Sequence, residues 1–166
     1  MIFLTVGTQF PFDRLVRAVD ESLARSELEE GVFAQVGRKG YRPRHMEWVE
    51  TLEREVFAER VAGARALIGH AGIGTILIAL EAGKPLLVMP RLQRYGEIVN
   101  DHQVATARKF AELGHVLLAY DESEIPAKLA ALDSFIPVPR HADPAGVIAR
   151  LRAFLDKVAD GRRQNS

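Results

Sequence analysis

The chain of 166 residues contains no cysteine, which removes disulfides, thiolate nucleophiles and cysteine–zinc sites from the outset. It has no surplus of charge of either sign, because 22 basic and 22 acidic side chains cancel. That balance calls for neither nucleic acid nor an anionic membrane as an obligatory partner. No apolar run approaches the length that crosses a bilayer. The opening, MIFLTVGTQF, lacks the basic segment and the long apolar core of a signal peptide. These absences predict a cytoplasmic protein that reaches a membrane only if something else brings it there. Internal repeats and low-complexity linkers are absent too. His45, His115 and His141 show no mutual spacing that suggests a metal site.

What is present is globular. Hydrophobic residues make up 48% and charged residues 27%, enough for one ordinary domain with its own core. We expect that domain over residues 1–160, with 161–166 a frayed tail. Apolar runs alternate with helix-period segments, the pattern of a parallel sheet covered by helices. Strands are expected at Met1–Val6, Val32–Val36, Met46–Val49, Arg65–Gly69, Pro85–Pro90 and Val116–Ala119. Helices are expected at Phe12–Arg25 (Leu15, Val16, Val19 and Leu23 inward), Leu52–Gly63 (Val56, Phe57 and Val61 inward), Thr75–Ala82, Asp101–Leu113, Ser123–Leu132 and Pro144–Val158. The fold class is therefore α/β, a doubly wound, Rossmann-like parallel sheet. Ligands of such sheets bind beyond the carboxyl ends of the strands.

Three stretches carry chemistry. His70-Ala71-Gly72-Ile73-Gly74-Thr75 is a strand-to-helix turn. Its glycines admit a close ligand, Thr75 is placed to cap the helix, and the free N–H groups and dipole there favour a phosphate or diphosphate. The plain alternative is a tight turn that needs glycine for its backbone angles. It is neither a complete dinucleotide fingerprint nor a P-loop. Gly7-Thr8-Gln9 forms a second such turn after the first strand. In a doubly wound sheet the first and fourth strands can be neighbours, and both turns then open on one crevice. The third stretch runs from Pro90 and Arg91 through Glu97 to Asn100, Asp101, His102 and Gln103. Amides and carboxylates of this kind pair with vicinal hydroxyls, although Asn100 and Asp101 also read as ordinary N-cap residues. The basic loop Arg38–Arg44 reads first as a solvated surface, with anionic lipid, an acidic sugar or a partner as alternatives. Trp48 reads as packing.

The run HAGIGTILIALEAGKPLLVMPRLQRYGEIVNDHQ resembles the signature of the C-terminal lobe of family 28, GT-B glycosyltransferases, and MIFLTVGTQFPFDRLVRAVD resembles the opening of that lobe in its free-standing form. Free-standing lobes occur in the dolichol-linked UDP-N-acetylglucosamine transferase and in two-component exopolysaccharide transferases. The likeness covers residues 1 to about 120. It implies a GT-B C-terminal lobe that binds a nucleotide-sugar donor as substrate and needs no cofactor. Gly7, Thr8 and Gln9 match the first glycine loop near the diphosphate; Gly72, Gly74 and Thr75, with His70 before them, match the second. Pro90 and Arg91 match the end of the strand lining the donor crevice, followed by Glu97 in the same loop. His102 and Gln103 match the contact to the donor sugar. The nucleobase is expected near Met46–Leu52.

One position departs from the pattern. Six residues after Gly72 the family commonly carries a glutamate that clasps the ribose; here that residue is Ile78. Glu81, three residues on, sits almost a turn further from the phosphate end. The departure bears on which nucleotide is selected. No Asp-X-Asp pair is present, so no metal-held diphosphate is expected. The resemblance implies inversion at the anomeric carbon, a general base from a separate membrane-associated acceptor subunit, and a lipid-linked acceptor. A nucleotide-sugar sensor without transferase activity is the alternative from a different class. A complete small enzyme such as an epimerase would need a dinucleotide or an internal base, and neither is visible.

Overall fold

The computed structural model describes residues 1–26, 28 and 30–139. The helix expected at Pro144–Val158 and the tail at 161–166 lie outside the described residues. Six strands form one all-parallel sheet: β1 (Ile2–Thr5), β2 (Val32–Gln35), β3 (Glu47–Val49), β4 (Ala66–His70), β5 (Leu86–Met89) and β6 (Leu117–Leu118). Their order is β3-β2-β1-β4-β5-β6. The order reverses between β1 and β4, with Thr5 registered against Gly69. Such a switch point opens a crevice beyond the strand ends.

The helices are α1 (Asp13–Ala24), α2 (Arg54–Gly63), α3 (Ile73–Glu81), α4 (His102–Glu112) and α5 (Ile125–Leu132). Both faces of the sheet are covered, which explains why its strands read as unbroken apolar runs. Ile2 and Leu4 point to one face, with Leu15, Val16 and Val19 of α1 and Leu129 and Leu132 of α5. Phe3 points to the other, with Val61 of α2, Ile76 and Ala79 of α3 and Ala107 of α4. Val56 is a correction: it was expected inward but is 39% exposed. Phe57 and Val61 share the buried stripe four residues apart, and Val56 lies about 100° off it.

The β2–β3 crossover, residues 36–46, carries no helix. It lies along α1 because Asp20, buried on that helix, accepts hydrogen bonds from the backbone N–H groups of Arg44 and His45 and from the Tyr41 hydroxyl. Burial raises the Asp20 pKa, but those donors outweigh it and hold the carboxyl below its ordinary range. Asp13 accepts from Tyr41 N–H. Arg38, Lys39, Arg42 and Arg44 remain exposed. Trp48 packs against the α1 face, as expected.

Candidate functional site

A crevice of about 790 Å³ lies at the switch point, between the β1–α1 and β4–α3 turns. Gly7, Thr8, Gln9, His70, Gly72, Gly74, Thr75, Arg91, His102 and Gln103 all line it. Residues from three separate stretches thus converge on one cavity, because β1 and β4 are neighbours. A second groove, about 540 Å³ between α1 and α5, lies elsewhere.

The two glycine turns are built around His70. Gly7 has φ +76°, which favours glycine, and a Cβ there would stand 3.0 Å from His70 Cε1. A Cβ on Gly72 would meet His70 Nε2 at 2.3 Å, so any side chain there would force the ring to move. Gly72 itself has φ −77° and ψ 137°, so it is glycine for the close approach of the ring and not for unusual backbone angles. Burial, and then the charge of Arg91, push the His70 pKa down to about 4. The imidazole is therefore neutral at neutral pH. Its Nδ1 lies 3.4 Å from Thr75 Oγ1.

The expected cap at Thr75 is a second correction. Gly72 is the N-cap of α3 and no side chain caps that helix. Thr75 is its third residue, with its hydroxyl beside His70. The first-turn N–H groups of α3 are left open to the crevice, which suits an anion better than a capped end does.

Beneath the turns, the Thr5 hydroxyl accepts from Gly7 N–H at 3.2 Å and donates to Gln35 Oε1 at 2.8 Å. Arg91 is 4% exposed. Its Nη2 donates to the carbonyls of Val6 (2.8 Å) and Phe10 (2.6 Å), which bracket the Gly7 turn. Its backbone N–H donates to Gln103 Oε1 at 3.1 Å. Burial lowers the Arg91 pKa to about 10, with Glu97 opposing the shift. Gln103 is buried too, and its side-chain NH2 donates to no group among the described residues.

Pro90 and Glu97 do not line the crevice. Glu97 turns away to Arg14, which grips it with two hydrogen bonds of 3.0 and 2.9 Å, and it also accepts from Leu92 N–H. The Pro90 carbonyl accepts from the same guanidinium at 3.2 Å. Glu97 is therefore the anchor of the 91–97 loop. Burial works against the Arg14 charge, but hydrogen bonds to Glu97 and Glu122 outweigh it and raise the Arg14 pKa. Asp101 is the N-cap of α4, yet its carboxylate accepts from Gln93 N–H. Asn100 accepts from His102 N–H at 3.2 Å. Of the segment expected near the nucleobase, Leu52 reaches the crevice while Met46 packs on the opposite face.

Among the described residues no three His, Asp or Glu side chains gather as metal ligands. The family model described as "Glycosyltransferase family 28 C-terminal domain" matches residues 1–145. This chain belongs to that family. The human protein named "UDP-N-acetylglucosamine transferase subunit ALG13" is 30% identical over 125 residues, covering 69% of this chain and 10% of that protein. The Yarrowia lipolytica protein of the same name is 25% identical over 136 residues, covering 75% and 67%. A solution structure of ALG13 superposes with TM-score 0.59 at 23% identity, over 87% of this chain and 91% of that one. The glycotransferase of kitacinnamycin gives 0.58 at 20%, over 87% and 35%. The solved structures establish the Rossmann-like fold of a GT-B C-terminal lobe for this family 28 domain.

Sequence reasoning missed several residues of the family 28 crevice. Thr5 and Gln35 were absorbed into apolar strands, although a lone polar residue at a strand's carboxyl end was a visible signal. Phe57, Ile73 and Val99 also line the cavity. Arg14 had no signal, because its partner Glu97 lies 83 positions away.

Proposed function

We propose that this family 28 domain is the donor-binding, catalytic subunit of an inverting glycosyltransferase. It moves a sugar from a UDP-sugar to a lipid-linked acceptor, together with a membrane-associated acceptor-binding subunit that recruits it to the cytoplasmic face. The observation that carries this reading is the open N-terminus of α3 facing the Gly7 turn across one crevice, with Arg91 buried behind that turn. A diphosphate fits that arrangement of N–H groups, dipole and cation. The names of the ALG13 relatives support the UDP-sugar.

In the transfer, the acceptor oxygen attacks the anomeric carbon as the bond to the diphosphate oxygen breaks. The first-turn amides of α3 and the charge of Arg91 stabilise the negative charge gathering on the leaving group. The acceptor's proton needs a base. His70, with a pKa near 4, is too weak a base at neutral pH, and Glu97 is held by Arg14. This agrees with a base supplied by the acceptor subunit.

The test is transfer from a panel of UDP-sugars to membrane lipid, with this chain alone and co-expressed with its candidate membrane subunit. We expect activity in the pair and little or none in the single chain. Robust transfer by the pure chain would refute the partner requirement. Ile78, on the crevice wall where the family carries a carboxylate, favours the sensor as second reading. Donor binding without transfer in any pairing would establish that instead.

A further inference from the structure

We infer that Arg91 is the positioning residue of the donor site: one guanidinium nitrogen staples the two ends of the β1–α1 turn, and its unpaired charge is completed by the bound diphosphate. The inference rests on the reading that this crevice takes a nucleoside diphosphate.

Arg91 Nη2 reaches the carbonyls at the start and the end of the turn, Val6 and Phe10, across 85 and 81 positions of sequence. Between them lie Gly7, Thr8 and Gln9, which all face the crevice. Gly7 holds φ +76°, so a tether at both ends selects one of the many shapes that a glycine turn can take. Arg91 is itself held, its backbone by Gln103 and the face of its guanidinium by Phe12, 5.2 Å from the ring centre.

No carboxylate lies within ion-pair distance of Arg91 among the described residues. Glu97, the carboxylate whose field reaches it, is gripped bidentately by Arg14. Arg91 Nε is buried with no hydrogen-bond partner. Structures seldom leave a buried cation this way, because desolvation is costly unless an opposite charge compensates it. The crevice it lines is where such a charge arrives. Burial, and then the same field, keep His70 neutral, so Arg91 is the buried cation on this lining.

A staple and a charge are separable. Arg91→Met removes both while keeping much of the volume, and Arg91→Lys keeps the charge but loses the planar fork. Three measurements on the full chain distinguish them: UDP and inorganic pyrophosphate affinity by calorimetry, hydrogen exchange of the amides at 7–10, and thermal unfolding. We expect Arg91→Met to bind UDP at least 30-fold more weakly and to exchange at 7–10 at least tenfold faster. We expect Arg91→Lys to exchange as fast as Arg91→Met yet to bind pyrophosphate within fivefold of wild type. UDP binding by Arg91→Met within threefold of wild type would overturn the inference. So would unchanged exchange at 7–10 in a folded Arg91→Lys, a result that needs no ligand. Wild-type chain that binds no nucleoside diphosphate would sink the functional reading, and with it the charge half of this one, while the exchange data still decide the staple.

Discussion

His70 shows how much of the site rests on one side chain. The ring fills the space that side chains at Gly7 and Gly72 would occupy, so three residues expected as ligand contacts are also a packing unit. Its neutrality has a consequence for stability. The unfolded pKa is about 6.5 and the folded one about 4, so between those values the unfolded chain binds more protons. Stability from this group is therefore present above pH 6.5 and lost as the pH falls toward 4. At about 1.4 kcal/mol per unit the full loss is about 3 kcal/mol. Unfolding free energy measured from pH 7 to 4 in wild type and His70→Gln isolates this contribution, because the carboxylates and the remaining histidines titrate in both. Wild type should lose about 3 kcal/mol more than the variant; parallel curves would show that the ring charges in the folded state. The sequence grouped His70 with its glycines, and the structure sets them on one crevice. Neither reading of Gly72, a close ligand or special backbone angles, included the His70 ring, which would lie 2.3 Å from an added Cβ and is invisible to turn statistics.

At the scale of elements, periodicity and turn residues located every strand and α-helix among the described residues, with ends shifted by one or two positions, while the 3-10 turn at Gln93–Tyr95 was read as loop. What stayed hidden was contact across long separations. The pairing of Arg14 on α1 with Glu97 moved a predicted ligand residue out of the crevice. Asp20, on the same helix, replaces a crossover helix with a tethered loop, and nothing local announces a buried carboxylate. The β4–α3 turn gives a clean test of turn against ligand. Gly74 does not have positive φ, and a Cβ there meets nothing within 4 Å. Gly74→Ala should fold normally and stabilise α3 by up to about 1 kcal/mol, because alanine is the better helix former. Yet the added methyl stands on the crevice lining at the anion-binding end of α3. We expect UDP affinity to fall at least tenfold while the melting temperature holds or rises. Unchanged affinity would mean that this glycine serves the turn alone.

For the molecule as a whole, the crevice is open, and its buried imidazole, His70, is a weak base. That state suits the proposed role as the donor-binding half of a pair. A ligand held from one side binds weakly and still stabilises the fold it touches. For a dissociation constant of about 1 mM, 10 mM UDP would contribute about 1.4 kcal/mol, a rise of roughly 3–6 °C in Tm for a chain of this size. The crevice wall also predicts which nucleotides count. Leu52, Phe57, Ile73 and Ile78 make it apolar on one side, and the family resemblance puts the ribose beside Ile78. With no carboxylate there, a 2′-hydroxyl finds no charged acceptor, so UDP and dTDP should raise Tm by amounts matching affinities within threefold of each other. Ile78→Glu should separate them, because a hydrogen bond to a charged group is worth about 1.5–3 kcal/mol, roughly 10- to 100-fold in favour of UDP. If wild type already prefers UDP tenfold, another group reads the ribose. Gln35, buried at the end of β2 and on the crevice lining, is then the next residue to change.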